Sequence, residues 1–140
     1  MLRRVVVVPS VLVALAAITA PAAQAGSPHF INNAFSATSD GNTITVSGKE
    51  AGLGDEAQIH VVLTATAECI NGGGNHPKAS NKTSVSAAGD FPVQNGKAEF
   101  TLSATATFQP ECSPPMSVRF TAVTVTDTTN GLTRSFSGVL

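Results

Sequence analysis

Two long runs of strict alternation constrain this chain more than any other feature. From Ala57 to Cys69 the odd positions are Ala57, Ile59, Val61, Leu63, Ala65, Ala67 and Cys69, with Gln58, His60, Val62, Thr64, Thr66 and Glu68 between them. From Lys97 to Phe108 the pattern recurs: Ala98, Phe100, Leu102, Ala104, Ala106 and Phe108 share one face, and Lys97, Glu99, Thr101, Ser103, Thr105 and Thr107 share the other. A period of two with one apolar face is the signature of a half-buried strand, and it is incompatible with a helix, whose apolar face recurs every three to four residues. The surrounding sequence is rich in Thr, Ser and Val and poor in Leu and Lys, a composition that favours strands.

Weaker strands fit around these two. Thr43–Gly48 follows an Asp40-Gly41-Asn42 turn, with Ile44 and Val46 inward. Lys82–Val93 is anchored by Val85, Phe91 and Val93. Ser117–Thr128 points Val118 and Phe120 inward and then switches parity to Val123 and Val125, which predicts a bulge near Ala122. Asn130-Gly131 reads as a type I′ hairpin turn leading into a last strand, Leu132–Val139. A short strand around Phe30–Ser36 brings the count to about seven. Seven short antiparallel strands separated by regular turn signals predict an all-β, immunoglobulin-like sandwich, with a small Greek-key barrel as the alternative.

The first 25 residues are of another kind. Arg3-Arg4, an apolar run from Val5 to Ala20, and Ala23-Gln24-Ala25 are the three parts of a secretory signal, which places the cut after Ala25. The rival reading, a membrane anchor, needs roughly 20 apolar residues, and this run is shorter and interrupted by Pro9. Residues 26–140 then form one domain of 115 residues, enough for a single core. The expected destination is the extracellular medium. The mature part carries 6 Lys+Arg against 9 Asp+Glu, too weak and mixed a charge to predict nucleic acid or an anionic membrane as partner. The chain has no Trp and no Tyr, which counts against stacking platforms for sugars or single strands.

Both cysteines, Cys69 and Cys112, lie in the exported part, and an even count in an oxidising compartment reads as a disulfide; two free thiols are the alternative. The strand directions put both cysteines at one end of the sandwich. The connections Ile70–Asn81 and Gln109–Met116 and the Asp40–Asn42 turn share that end, and Glu50–Glu56, Gln94–Gly96 and Asn130–Gly131 lie at the other.

The stretches Lys49-Glu50-Ala51-Gly52-Leu53-Gly54, Glu68–Lys82 with its Cys69-Ile70-Asn71-Gly72-Gly73-Gly74-Asn75-His76-Pro77 run, and Thr124–Gly131 resemble a group of small secreted bacterial proteins, mainly from actinomycetes. The resemblance covers nearly the whole mature chain. It implies release to the exterior and supports the pairing of Cys69 with Cys112; it implies no activity, cofactor or catalytic residue.

Few residues suggest chemistry. His29, His60 and His76 form neither His-x-His nor His-Glu-x-x-His, and no Gly-x-Ser-x-Gly elbow is present, so neither a zinc site nor an acyl-transfer nucleophile is predicted. Glu50 with Asp55 and Glu56 is the one carboxylate group worth weighing as an acid–base pair, against the simpler reading that loop carboxylates face water. Asp40-Gly41-Asn42 lacks the ligand spacing of a calcium loop. Asn81-Lys82-Thr83 matches an N-glycosylation sequon, which carries no information in a bacterial protein. The glycine-rich connection Ile70–Asn81 offers Asn71, Asn75, His76, Lys78 and Asn81 as binding groups, with Glu111 from the opposite loop; the plainer reading is a long connection whose asparagines make turns. The expected function is a secreted, non-enzymatic interaction module, monomeric and without cofactor or metal. The alternative is an inhibitor of an extracellular hydrolase, presenting Pro110-Glu111-Cys112-Ser113-Pro114-Pro115.

Overall fold

The computed structural model describes residues 26–71 and 81–140. Residues 1–25, the expected signal segment, and most of the glycine-rich connection, including Asn75, His76 and Lys78, lie outside the described residues. Eight strands are present: β1 (His29–Phe30), β2 (Ser36–Asp40), β3 (Thr43–Ala51), β4 (Gln58–Ile70), β5 (Lys82–Pro92), β6 (Ala98–Thr105), β7 (Ser117–Asp127) and β8 (Leu132–Ser135). They form two antiparallel sheets. In the first, β3 pairs with β6 on one side and with β1 and β2 on the other; the second has the order β5-β4-β7-β8. Counted as one interrupted strand, β1 and β2 give the seven-strand immunoglobulin-like sandwich that the alternation predicts.

The two long runs follow their parity except at two positions: Ala57, expected inward, is exposed just before β4, and Glu68, expected outward, is buried. Ile59, Val61, Leu63, Ala65, Ala67 and Cys69 are buried, and so are Ala98, Phe100, Leu102, Ala104, Ala106 and Phe108. They meet Ile44 and Val46 of β3 and Phe120, Val123 and Val125 of β7 in one core. The outer face of the first sheet is a hydroxyl ladder, with Thr43–Thr105 and Thr45–Ser103 at 2.8 Å and Ser47–Thr101 at 3.0 Å, closed by Lys49 donating to Glu99 at 2.8 Å. Cross-strand pairs of this kind satisfy one another and keep the face wettable.

The parity switch in β7 is a bulge. Thr64 and Thr66 of β4 oppose Thr124 and Thr121, so one extra residue is inserted, and Ala122 takes φ +50°. The turns differ from expectation. Asn130-Gly131 is not a two-residue type I′ turn: Asp127 pairs with Leu132 across the four residues Thr128–Gly131, and only Gly131 has positive φ. The Asn130 amide instead donates to Asp127 Oδ2 at 2.7 Å and Glu56 Oε2 at 3.1 Å, and the Thr129 N–H donates to Asp127 Oδ1 at 2.8 Å. The type I′ signature falls at Asn95-Gly96, where φ is +53° and +71° and Gln94 and Lys97 exchange both backbone bonds.

Strand bounds also change: β6 covers only Ala98–Thr105 of the expected Lys97–Phe108, and β4 begins at Gln58 instead of Ala57. Phe30–Ser36 is not one strand, because the 3₁₀ turn Asn32–Ala34 separates β1 from β2. The last strand stops at Ser135; beyond it, Phe136 N–H bonds to Val123 C=O and Leu140 exchanges two backbone bonds with Phe120. β3 continues past Gly48 to Ala51. Gly48 lacks a side chain for a reason: a Cβ there would lie 2.5 Å from the Phe100 ring and 2.9 Å from that of Phe35.

The lower end is closed by the Lys49–Gly54 segment. Gly52 has φ +74°, and a Cβ on it would lie 2.0 Å from the Ser27 carbonyl oxygen. Leu53 is buried, and its N–H donates to Gly96 C=O at 3.0 Å. Gly52→Ala therefore meets both an unfavourable dihedral and a backbone collision. Its expected cost is at least about 2 kcal/mol, read by denaturant unfolding followed by circular dichroism.

Candidate functional site

Cys69 ends the inward row of β4, and Cys112 lies in the connection between β6 and β7. They are bonded, with Cα atoms 5.8 Å apart. The bridge ties the upper end of one sheet to a long connection, closing a loop with a sequence separation of 43. In the chain-entropy model such a loop restricts the unfolded chain by about 4 kcal/mol. The Cys69→Ser/Cys112→Ser double variant is expected to lose stability on that order, measured as a shift in the denaturant midpoint.

Around the bridge lies a groove of about 290 Å³, lined by Ser39, Gly41, Asn42, Cys112, Pro114, Met116, Ser117 and Val118. Three segments build it: the β2–β3 turn, with Gly41 at φ +54°; the disulfide-bound connection; and the start of β7. Met116 is one of two exposed large hydrophobic residues among the described ones, and its Sδ lies 3.8 Å from Cys69 Sγ. Asn71 and Asn81, at the two described ends of the glycine-rich connection, are exposed at this same end, as is Glu111. Asn75, His76 and Lys78 lie outside the described residues.

Beneath the groove sits a charge cluster that parity reasoning misses. Glu68 is on the outward row of β4, yet it is only 5% exposed. The register places Lys82 of β5 and Arg119 of β7 directly opposite it on either side. Arg119 Nε donates to Oε2 at 2.8 Å, and Lys82 Nζ lies 3.2 Å from Oε1. Burial raises the acid's pKa, but the hydrogen bonds and positive charges of Arg119 and Lys82 together outweigh it and hold Glu68 below the usual carboxylate range. The only signal in the sequence was the register itself. A carboxylate with a lowered folded-state pKa contributes stability above its unfolded pKa and loses it as pH falls through the lowered value. Glu68→Gln is therefore expected to lower the melting temperature at pH 7 and to flatten its fall below about pH 4.5, measured by calorimetry from pH 2 to pH 7.

The remaining groups are dispersed. His60 Nδ1 lies 2.7 Å from Asp90 Oδ1 on the exposed face of the second sheet, and His29 Nδ1 bonds to the Ser27 carbonyl. Of the three carboxylates weighed as an acid–base group, Asp55 is exposed, whereas Glu50, buried on β3 and not in a loop, and Glu56 join Asp127 at the lower end. Among the described residues, no group of three His, Cys, Asp or Glu side chains is placed to hold a metal ion, and no helix is long and apolar enough to cross a membrane.

No protein-family model matches the chain, and no match is found among curated proteins or solved structures.

Proposed function

We propose that this chain is a secreted, non-enzymatic binding module whose ligand surface is the disulfide-bearing upper end. The observation that carries the reading is the convergence there of the groove, the exposed Met116, and the amides Asn42, Asn71 and Asn81. The bridge holds the groove's far wall against β4, so the surface is ordered before a partner arrives, which reduces the entropy lost on binding. An apolar floor with an amide rim suits a protein or an extended peptide, whose main chain the amides can bond while a side chain covers Met116.

The test uses the mature protein, with Met116→Asp and Asn42→Ala as surface variants, in cross-linking and native mass spectrometry from the host's culture medium. Both positions are solvent-accessible, so the variants are expected to fold. Any partner held by the wild type is expected to be lost at least tenfold by Met116→Asp. Equal retention by both variants places the binding surface elsewhere.

The inhibitor reading rests on one observation: Pro110, Glu111, Pro114 and Pro115 are exposed on a segment pinned at Cys112. It predicts slowed hydrolysis by a secreted protease or amylase at micromolar protein, and no inhibition across such a panel ends it.

A further inference from the structure

The lower end of the sandwich contains a carboxyl group in a core position. On β3, Ile44, Val46, Gly48 and Glu50 share the inward row, and Glu50 is wholly buried. No protein donor reaches either of its oxygens, the only buried side-chain polar atoms of that kind among the described residues; the one polar group it meets is the Asp127 carboxyl. An ionised carboxylate buried this deeply with no protein donor set against it is strongly disfavoured.

The groups facing Glu50 make a negative charge there worse. Asp127, at the end of β7, is also wholly buried, and Glu56 approaches from the β3–β4 connection. The two are treated differently from Glu50: Asp127 accepts from Thr129 N–H and from the Asn130 amide, and Glu56 accepts from that same amide. Two donors therefore reach Asp127, and none reaches Glu50. Among the described residues no cation is set against it. At the positions paired with Glu50, β1 and β6 offer Phe30 and Ala98. Lys49 is on the opposite face, bound to Glu99, Lys97 is exposed, and Arg134 of β8 donates to Asn32 and lies over the Phe35 ring at 4.5 Å. Burial first, then a hydrogen bond shared with the Asp127 carboxyl, then the charges of Asp127 and Glu56 push the Glu50 acid up to about 8.

We propose that the lower end is a proton latch: Glu50 is buried as the neutral acid against the Asp127 carboxyl, and loss of its proton releases β1 and the Gly52–Ala57 connection to water. The geometry designates the part that opens. β1 is held by two residue pairs, one of them Phe30–Glu50 itself, and Ser27 packs directly on Gly52. An ionised Glu50 needs water, and lifting this segment gives the shortest path to it.

The sign follows from the raised folded-state value. The stability that the proton contributes is complete below the unfolded pKa near 4.5 and is lost as pH rises through about 8. The wild-type melting temperature is expected to fall by on the order of 10 °C between pH 6 and pH 9, and Glu50→Gln, which keeps the shape without the charge, to flatten that limb. Amide exchange at residues 29–31 is expected to rise over the same interval in the wild type only. Infrared spectra of the wild type supply a readout independent of the variant's folding: a protonated-carboxyl carbonyl band present at pH 6.5 and gone by pH 9. A wild-type melting temperature flat across this range, or no such band at pH 6.5, overturns the proposal. So does a rise in wild-type melting temperature with millimolar calcium that Glu50→Gln abolishes, because the compensating charge would then be a cation instead of a proton.

Discussion

The whole structure depends on burying the inward rows of β4 and β6 against each other. These rows are graded. Toward the lower end they carry Ile59, Val61, Leu63, Phe100 and Leu102, and toward the upper end they thin to Ala65, Ala67, Ala104 and Ala106. Each lost methylene forgoes about 0.8 kcal/mol of burial, so the aliphatic rows hold the sheets together more weakly as they rise. Two rings, Phe108 and Phe120, occupy the space the alanines leave, and the Cys69–Cys112 bridge closes over that layer. The covalent link thus stands where the noncovalent core is least able to define the connections above it.

Alternation made most of this legible. Strand identity, inward faces, the bulge at Ala122 and the common end of the two cysteines all follow from parity and chain direction, because a period of two admits one solution when one face is buried. What stayed hidden depends on partners distant in sequence. Asn95-Gly96 and Asn130-Gly131 are the same dipeptide, yet only the first is a type I′ turn. At the second, the side-chain amide is claimed by Asp127 and Glu56, and the loop widens to four residues to present it. No local rule distinguishes the two. The groove around Met116 was equally illegible, since a methionine in sequence is as readily core as surface.

The two buried glutamates show how far parity alone can mislead. Glu68 falls on the outward row and is covered by Lys82 and Arg119, whose positions become adjacent only through the register of three strands. Glu50 falls on the inward row and faces carboxylates. The same residue type is held ionised at one end and neutral at the other, the difference lying in the sign of its neighbours. Such an arrangement gives the upper end a fixed charge network and the lower end a titratable one.

That contrast bears on where recognition belongs. The Lys49–Gly54 segment is distinctive in sequence, but the fold itself occupies its residues. Lys49 pairs with Glu99, Glu50 and Ala51 pair with β1, Gly52 admits Ser27, and Leu53 joins the core and bonds to Gly96. Backbone closure thus accounts for this motif. The upper end differs. Its connections are held by the bridge and by the Glu68 cluster from below, while the side chains of Asn42, Asn71 and Asn81 make no comparable structural bond among the described residues, and Met116 stands exposed beside the bridge. An exposed groove and exposed amides set on a base fixed by the bridge are what support the proposed binding surface at the upper end.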